Sequence, residues 1–97
     1  MYKIFIHIDE NGKGSFVLSL GGKTMGRINV NISGNELILL RTIVPVKRYL
    51  HTVGNRLLQE IVDYARMHEL KIITVSAFVK RQFSSDPASY ADVWEKG

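Results

Sequence analysis

A basic turn ahead of an amphipathic segment holds the residues with the clearest potential for chemistry. Lys47, Arg48 and His51 lie close together in the chain, with no acidic residue among them. Apolar residues then recur at helical spacing over Val53–His68. Because a helix N-terminus presents unpaired N–H groups and the positive end of the helix dipole, this turn is suited to bind phosphate. The alternative is a solvent-exposed basic turn beside an ordinary helix that Thr52 caps with its hydroxyl.

Ser76 is a second candidate for chemistry. It lies in Lys71–Ala77, a β-branched segment that is predicted to be a strand. A serine hydroxyl is a weak nucleophile unless an adjacent base activates it, and the sequence identifies no such base. Ser76 is therefore either a group that attacks or orients water, or a small polar residue at a strand end.

The sequence predicts no metal site. His7, His51 and His68 are far apart, cysteine is absent, and no His-Glu-x-x-His motif occurs. The absence of cysteine also excludes disulfide bonds and a thiolate nucleophile.

Short strands separated by turn residues account for the first half of the chain. Ile4, Ile6 and Ile8 alternate with other residues, as in a strand with one buried face, and Gly21-Gly22 is typical of a tight hairpin turn. Four strands are predicted, over Met1–Asp9, Ser15–Leu20, Thr24–Ile32 and Glu36–Val44. The last has Leu and Ile on both faces, as in a strand covered on each side. These strands should form an antiparallel meander.

The second half changes to helical spacing and then returns to the sheet. Val53–His68 is predicted to be an amphipathic helix, Lys71–Ala77 a strand parallel to Glu36–Val44, and Ala88–Trp94 a short terminal helix. The predicted fold class is therefore α/β (α+β). It has a mostly antiparallel sheet, one long crossover helix and a short C-terminal helix, in a single domain over residues 1–97.

Composition and charge narrow the classes of partner. The chain has 97 residues, 45% of them hydrophobic and 23% charged, which suits one compact core. A formal net charge of +4 favours anionic partners in general. No long apolar run indicates a signal peptide or a membrane span, so we expect a cytoplasmic protein that does not bind membranes.

The order of these motifs resembles that of a known family. An apolar strand, the basic turn and a long helix are followed by a second strand, by Phe78-Val79-Lys80 and by Tyr90-Ala91-Asp92. This order is similar to that of the short, single-domain bacterial branch of the GNAT-type N-acetyltransferase superfamily. The resemblance implies the GNAT-like acyl-CoA N-acyltransferase fold. It also implies transfer of an acetyl group from acetyl-CoA to an amine, on a small molecule or on a protein.

The resemblance also implies a cofactor site. The family's phosphate loop follows the pattern Q/R-x-x-G-x-G/A; here Tyr49 takes the first position, Thr52 replaces the first glycine, and Gly54 is retained. Backbone donors at the end of the central strand are implied to face the thioester and the pantetheine arm. The implied cofactor-binding residues are Ile43, Val44, Lys47, Arg48, His51, Thr52, Val53, Gly54 and Asn55.

Two further positions depart from the family pattern. Ser76 stands where short-branch relatives commonly carry a cysteine, so the resemblance makes Ser76 the implied catalytic residue. Arg41-Thr42 stands where the family tends to have His-Thr. A cation at Arg41 would repel an amine if both faced the same pocket.

Two other functions stay open. One is a non-catalytic acyl-CoA-binding relative or an interaction module. The other is nucleic-acid binding through Lys47, Arg48, Tyr49 and Arg56, which mix positive charge with an aromatic ring. It is less favoured, because the sequence has no RNP, GXXG or recognition-helix pattern. The expected partners are therefore a CoA thioester and an amine acceptor, and no oligomeric state is predicted.

Overall fold

A five-stranded sheet forms the centre of the molecule. The computed structural model describes residues 2–95. The strands are β1 (Tyr2–Ile8), β2 (Lys13–Leu20), β3 (Lys23–Ser33), β4 (Glu36–Ile43) and β5 (Lys71–Thr74). They lie in the order β1-β2-β3-β4-β5, with β1 to β4 antiparallel and β5 parallel to β4. The predicted meander and the parallel return strand are confirmed.

Three helices complete the described fold. They are α1 (Leu50–Met67), α2 (Ala77–Ser85) and α3 (Pro87–Tyr90), and a 3-10 turn, Lys47–Tyr49, leads directly into α1. Helix α1 is the crossover between β4 and β5, so the predicted fold class is confirmed. Helix α2 was not predicted, and the terminal helix is shorter than the predicted Ala88–Trp94. After α3 the chain turns, and Trp94 forms a single parallel bridge with Ile72 of β5.

The core lies between one face of the sheet and the helices. Helix α1 buries six apolar side chains together with Gly54, and full burial of a Val, Leu or Ile side chain contributes roughly 1.5–3 kcal/mol. The α1 side chains are Val53, Leu57, Leu58, Ile61, Val62 and Ala65. On the sheet they meet Phe16, Leu18, Ile28, Val30, Leu37, Leu39 and Ile72.

The opposite face of the sheet is open. Its side chains, such as Val17, Asn29 and Ile38, are all at least partly exposed. Leu40 of β4 is 47% exposed, so the prediction that this strand is covered on both faces is wrong. Ile6 is also 41% exposed on β1, which is an edge strand, so the predicted buried face of β1 is only partial.

A charged clamp attaches the C-terminal segment to α1. The guanidinium of Arg66 donates to both carboxylate oxygens of Asp92, at 2.9 and 3.2 Å, and to the carbonyl oxygen of Ser89 at 2.7 Å. The hydrogen bond from Arg66 lowers the pKa of Asp92 below its ordinary value. The clamp lies beside Val93, which is buried in the core, so it holds the segment from Asp92 to Glu95 in register with β5.

We predict that acid loosens this segment. Because the pKa of Asp92 is depressed in the folded protein, its contribution is present above the unfolded pKa and is lost as the pH falls through the folded pKa. Trp94, the only tryptophan, packs on Phe83 at 5.3 Å between ring centroids and reports the attachment by fluorescence. Asp92→Asn should show the loosened signal already at neutral pH. Glu10→Gln, the same charge change in the β1–β2 turn, should titrate like the wild type; identical curves for all three proteins would contradict the clamp.

Candidate functional site

Strands β4 and β5 separate halfway along β4, after Leu39. This separation is here called the parting of β4 and β5. The two strands pair from Glu36 with Lys71 to Leu39 with Thr74, and there β5 ends while β4 continues to Ile43. Within residues 2–95, no strand accompanies the second half of β4 on its β5 side. Backbone N–H and C=O groups on that side therefore have no strand partner. Because buried backbone polar groups need a partner, these groups are available to a ligand.

A β-bulge sets the directions of the side chains beside this parting. Leu39 pairs with Val30 and Arg41 pairs with Asn29, so Leu40 is the extra residue. Thr42 is opposite Ile28, which is fully buried, so Thr42 points toward α1. Arg41 points to the open face. The side chains of Arg41 and Thr42 therefore lie on opposite faces of the sheet.

Thr42 carries an unpaired buried hydroxyl. Its Oγ1 is buried and has no hydrogen-bond partner within the described part of the chain. Leaving such a group unpaired costs roughly 1–3 kcal/mol. An unpaired hydroxyl beside the parting is consistent with a polar ligand group at this position.

The start of α1 differs from the prediction. The helix begins at Leu50, and its N-cap, Tyr49, makes no side-chain cap bond. The prediction that Thr52 caps the helix is wrong, because Thr52 already lies in the first turn. The 3-10 turn also consumes backbone donors: the N–H of Tyr49 bonds to Val46 O at 2.9 Å, and that of Leu50 bonds to Lys47 O.

The cations around the start of α1 are not neutralised. Lys47 and Arg48 are exposed, and Arg48 lies over the Tyr49 ring at 5.0 Å. Arg56 lies over the Tyr2 ring at 4.6 Å. None of the three cations forms an ion pair with another residue in the range 2–95. The positive end of the α1 dipole and these side chains therefore add up to an attractive field for an anion.

Gly26 of β3 brings the end of β4 against the start of α1. A Cβ at this position would lie 2.8 Å from Val53 Cγ1, 3.0 Å from Val44 Cγ2 and 3.1 Å from the carbonyl oxygen of Ile43. Only glycine permits this approach. Gly26 was not predicted to be a site residue, although an isolated glycine in a strand pattern is a known sign of close backbone contact.

Gly54 performs a similar role between α1 and α2. A Cβ at Gly54 would lie 2.7 Å from the ring of Phe78, and the His51 ring lies 5.9 Å from the same ring. Gly54 is buried, whereas His51 and Asn55 are exposed on α1. The structure therefore brings the basic turn and the start of α2 together, with Phe78 between them. Helix packing by itself accounts for the glycine.

Ser76 is the N-cap of α2. Its Oγ accepts a hydrogen bond from the N–H of Val79 at 3.4 Å, and its own N–H donates to Thr74 Oγ1 at 3.0 Å. The predicted strand Lys71–Ala77 is thus too long, because Ser76 already starts a helix. A serine followed by apolar residues at helical spacing, here Phe78, Val79 and Phe83, was the overlooked signal.

Two depressions flank the first turns of α1. A shallow one of about 420 Å³ is lined by His51, Thr52, Asn55, Arg56 and Gln59. A mostly apolar groove of about 440 Å³ lies on the β1–β3 side and is lined by Tyr2, Leu18, Leu20, Met25, Tyr49, Thr52, Val53 and Arg56.

Comparison with known proteins identifies the family. A sequence model of the GCN5-related N-acetyltransferase family matches residues 15–93, so the chain belongs to this family. The chain is also similar to a Staphylococcus aureus protein whose NMR solution structure is described as that of a GCN5-like putative N-acetyltransferase. That match has 28% identity and a TM-score of 0.67, and it covers 94% of this chain and 87% of the other. No curated protein matches the chain significantly.

The described part of the chain contains neither a membrane-spanning helix nor a metal-binding cluster. None of the described helices is both long and apolar enough to cross a membrane. Between residues 2 and 95, no three His, Asp or Glu side chains lie close enough to hold a metal ion.

The sign of one stability change tests the role of Gly54. In an open helix position Gly→Ala stabilises by roughly 1 kcal/mol, but overlap with the Phe78 ring should reverse this and destabilise by about 1–2 kcal/mol net. The measurement is the free energy of unfolding in urea. Asn55→Ala, the adjacent exposed position, is the control and should not destabilise. A more stable Gly54→Ala variant would contradict the packing role, and Phe78→Leu should rescue a destabilised one.

The cap role of Ser76 is testable in the same way. Ser76→Ala should lower the free energy of unfolding by about 0.5–1 kcal/mol, at the low end for a cap because the bond is long. Ser76→Asp should keep most of the stability, since aspartate caps equally well. If both variants were as unstable as each other, the hydroxyl would have a role other than capping.

Proposed function

We propose that this protein is an acetyl-CoA-dependent N-acetyltransferase that transfers an acetyl group to an amine. The observation that carries the proposal is the parting of β4 and β5, which leaves the backbone of β4 beyond Leu39 unpaired on one side. An acyl-transfer site needs fixed donors near the carbonyl oxygen that gains negative charge. Family membership supports the same reaction class.

The thioester end of the ligand is assigned to the end of β4. Backbone groups at Ile43 and Val44 would hold the acetyl carbonyl and the pantetheine arm, and the unpaired hydroxyl of Thr42 would gain a partner there. The residues present therefore fit the thioester part of acetyl-CoA.

The phosphate end is assigned to the basic turn and the first turns of α1, from Lys47 to Asn55. Fewer backbone donors are free here than in a glycine-rich loop, since Tyr49 and Leu50 already donate within the 3-10 turn. Attraction would come mainly from Lys47, Arg48 and the helix dipole. We therefore expect weak binding with a strong salt dependence.

The reaction itself is proposed to be direct. Ser76 caps α2 and no acidic or histidine side chain of residues 2–95 hydrogen-bonds to it, so nothing supports a covalent intermediate on its hydroxyl. Its remaining candidate role is to orient water. In this proposal the protein works in the cytoplasm, with acetyl-CoA as cosubstrate and no metal.

One observation favours a second candidate, a non-catalytic acyl-CoA-binding relative. The donors that the 3-10 turn consumes, together with Thr52 in place of the first loop glycine, weaken the phosphate site. A protein of this kind would bind the thioester without turning it over.

A titration with CoA, followed by backbone amide chemical shifts, tests the site. We expect two groups of amides to respond, one at Ile43 and Val44 and the other at His51–Asn55. Raising the salt concentration should weaken binding mainly through the second group. Lys47→Gln with Arg48→Gln should weaken binding at low salt, whereas Lys23→Gln at the start of β3 should not. Shifts confined to other regions, or none at millimolar CoA, would rule out the proposal.

The same samples separate the two candidates by turnover. Free CoA released from acetyl-CoA in the presence of an amine, above the rate without protein, supports the enzyme. Binding with the expected shifts but no release for any amine supports the non-catalytic relative. Ser76→Ala should keep most of any activity, and an acetyl group trapped on Ser76 would overturn the direct route.

A further inference from the structure

Three polar side chains converge on the open face of the sheet at the end of β4. Asn29 of β3 is directly opposite Arg41 of β4, and Arg27 is directly opposite Ile43. Directly opposite residues have Cβ atoms about 5 Å apart and point to the same face. Arg27, Asn29 and Arg41 therefore form one cluster immediately beside Ile43. The two arginines of this cluster are here called the arginine pair.

Neither arginine has a partner. Arg27 and Arg41 are exposed, and neither makes a side-chain hydrogen bond, an ion pair or a ring contact with another described residue. Each arginine shares a cross-strand row with residues of the neighbouring strands, and these residues are neutral or histidine. The row of Arg41 contains Asn29, Ser15 and His7. The row of Arg27 contains Val17 and Phe5. Two neighbouring cations without a counter-charge favour an anionic ligand.

The open face is an approach to the parting that no described element covers. On the α1 side, Val44 and Val53 close over Gly26, and Phe78 packs on Gly54. On the open side no element lies over the sheet, and Leu40 is 47% exposed. A second substrate that approaches the end of β4 from this face passes Arg41 and Arg27.

We propose that the arginine pair selects the acceptor, and that the acceptor is a small primary amine that also carries a carboxylate or a phosphate. The inference rests on the proposed function. In the transfer step the amine nitrogen attacks the thioester carbonyl, a C–N bond forms, the C–S bond breaks, and CoA leaves as a thiolate that takes up the proton lost by the nitrogen. The two guanidinium groups bind the anion and favour the neutral, nucleophilic form of the amine.

The test uses short acceptors. Arg27 and Arg41 lie on neighbouring strands beside Ile43, so the anion and the reacting nitrogen are expected to belong to one small molecule. β-Alanine and O-phosphoethanolamine supply the carboxylate and the phosphate arms of the test. Their neutral matches are β-alaninamide and ethanolamine.

The first experiment needs no cofactor and no activity. O-Phosphoethanolamine and, separately, β-alanine are titrated into the protein while the amide and guanidinium signals are followed. We expect shifts at Arg27, Asn29 and Arg41, which ethanolamine does not cause. The shifts should disappear in Arg41→Gln and persist in Lys13→Gln, which removes one cation from the far part of the same face. Shifts that follow Lys13 as much as Arg41 would mean non-specific attraction and overturn the inference.

The second experiment measures acetyl transfer as kcat/KM for each matched pair. The wild type should prefer the anionic amine by roughly tenfold, the scale of one hydrogen bond to a charged group. Arg27→Gln and Arg41→Gln should each reduce that preference through KM, and the double variant should abolish it while still using ethanolamine. Lys13→Gln should keep the preference.

The outcomes separate the two proposals. Acetyl transfer to charged and neutral amines at equal kcat/KM overturns the acceptor inference and leaves the acetyltransferase in place. Anion shifts at the arginine pair without any CoA binding overturn the acetyltransferase and leave an anion site on the open face. A preference that survives in the double variant also overturns the inference.

Discussion

The hydrogen bonding of β4 is the constraint on which the rest of this structure depends. The first half of β4 is paired on both sides, whereas the second half has lost β5 and keeps only β3. The cause is local, because Ser76 starts a helix two residues after β5 ends. A strand that kept its partner to the end would leave no backbone group for a ligand.

Close contacts at two glycines position the elements around the parting. Gly26 allows Val44 and Val53 to meet, and Gly54 allows Phe78 to lie against α1. The bulge at Leu40 turns Arg41 to the open face and Thr42 to the α1 side. One sheet edge therefore offers two different environments: an enclosed one with an unpaired hydroxyl and an open one with two free cations. In our proposal the first holds the thioester and the second receives the acceptor.

The sequence predicted the strands, their order and the crossover helix because hydrophobic periodicity and glycine turns determine these features locally. It failed where two elements compete for the same residues. Thr52 looked like a cap, but the 3-10 turn through Lys47–Tyr49 extends the helix backward. Ser76 was predicted to be a strand residue, because the β-branched residues before it give a strand pattern up to the start of α2. The bulge at Leu40 and the contact at Gly26 depend on pairing between distant strands, which the period of one strand cannot reveal. Family membership, by contrast, could be predicted from the order of the motifs, although the residues of the phosphate loop differ from the family pattern.

The contact between the acetyl group and β4 is the most direct test of the account. Acetyl-CoA labelled with carbon-13 in its acetyl methyl group gives intermolecular nuclear Overhauser effects to protons of the protein that lie nearby. We predict effects to the Thr42 side chain and to the amide of Ile43, at the parting of β4 and β5. Effects to Tyr2 and Met25 instead, in the apolar groove beside α1, would contradict the assignment of the thioester to β4.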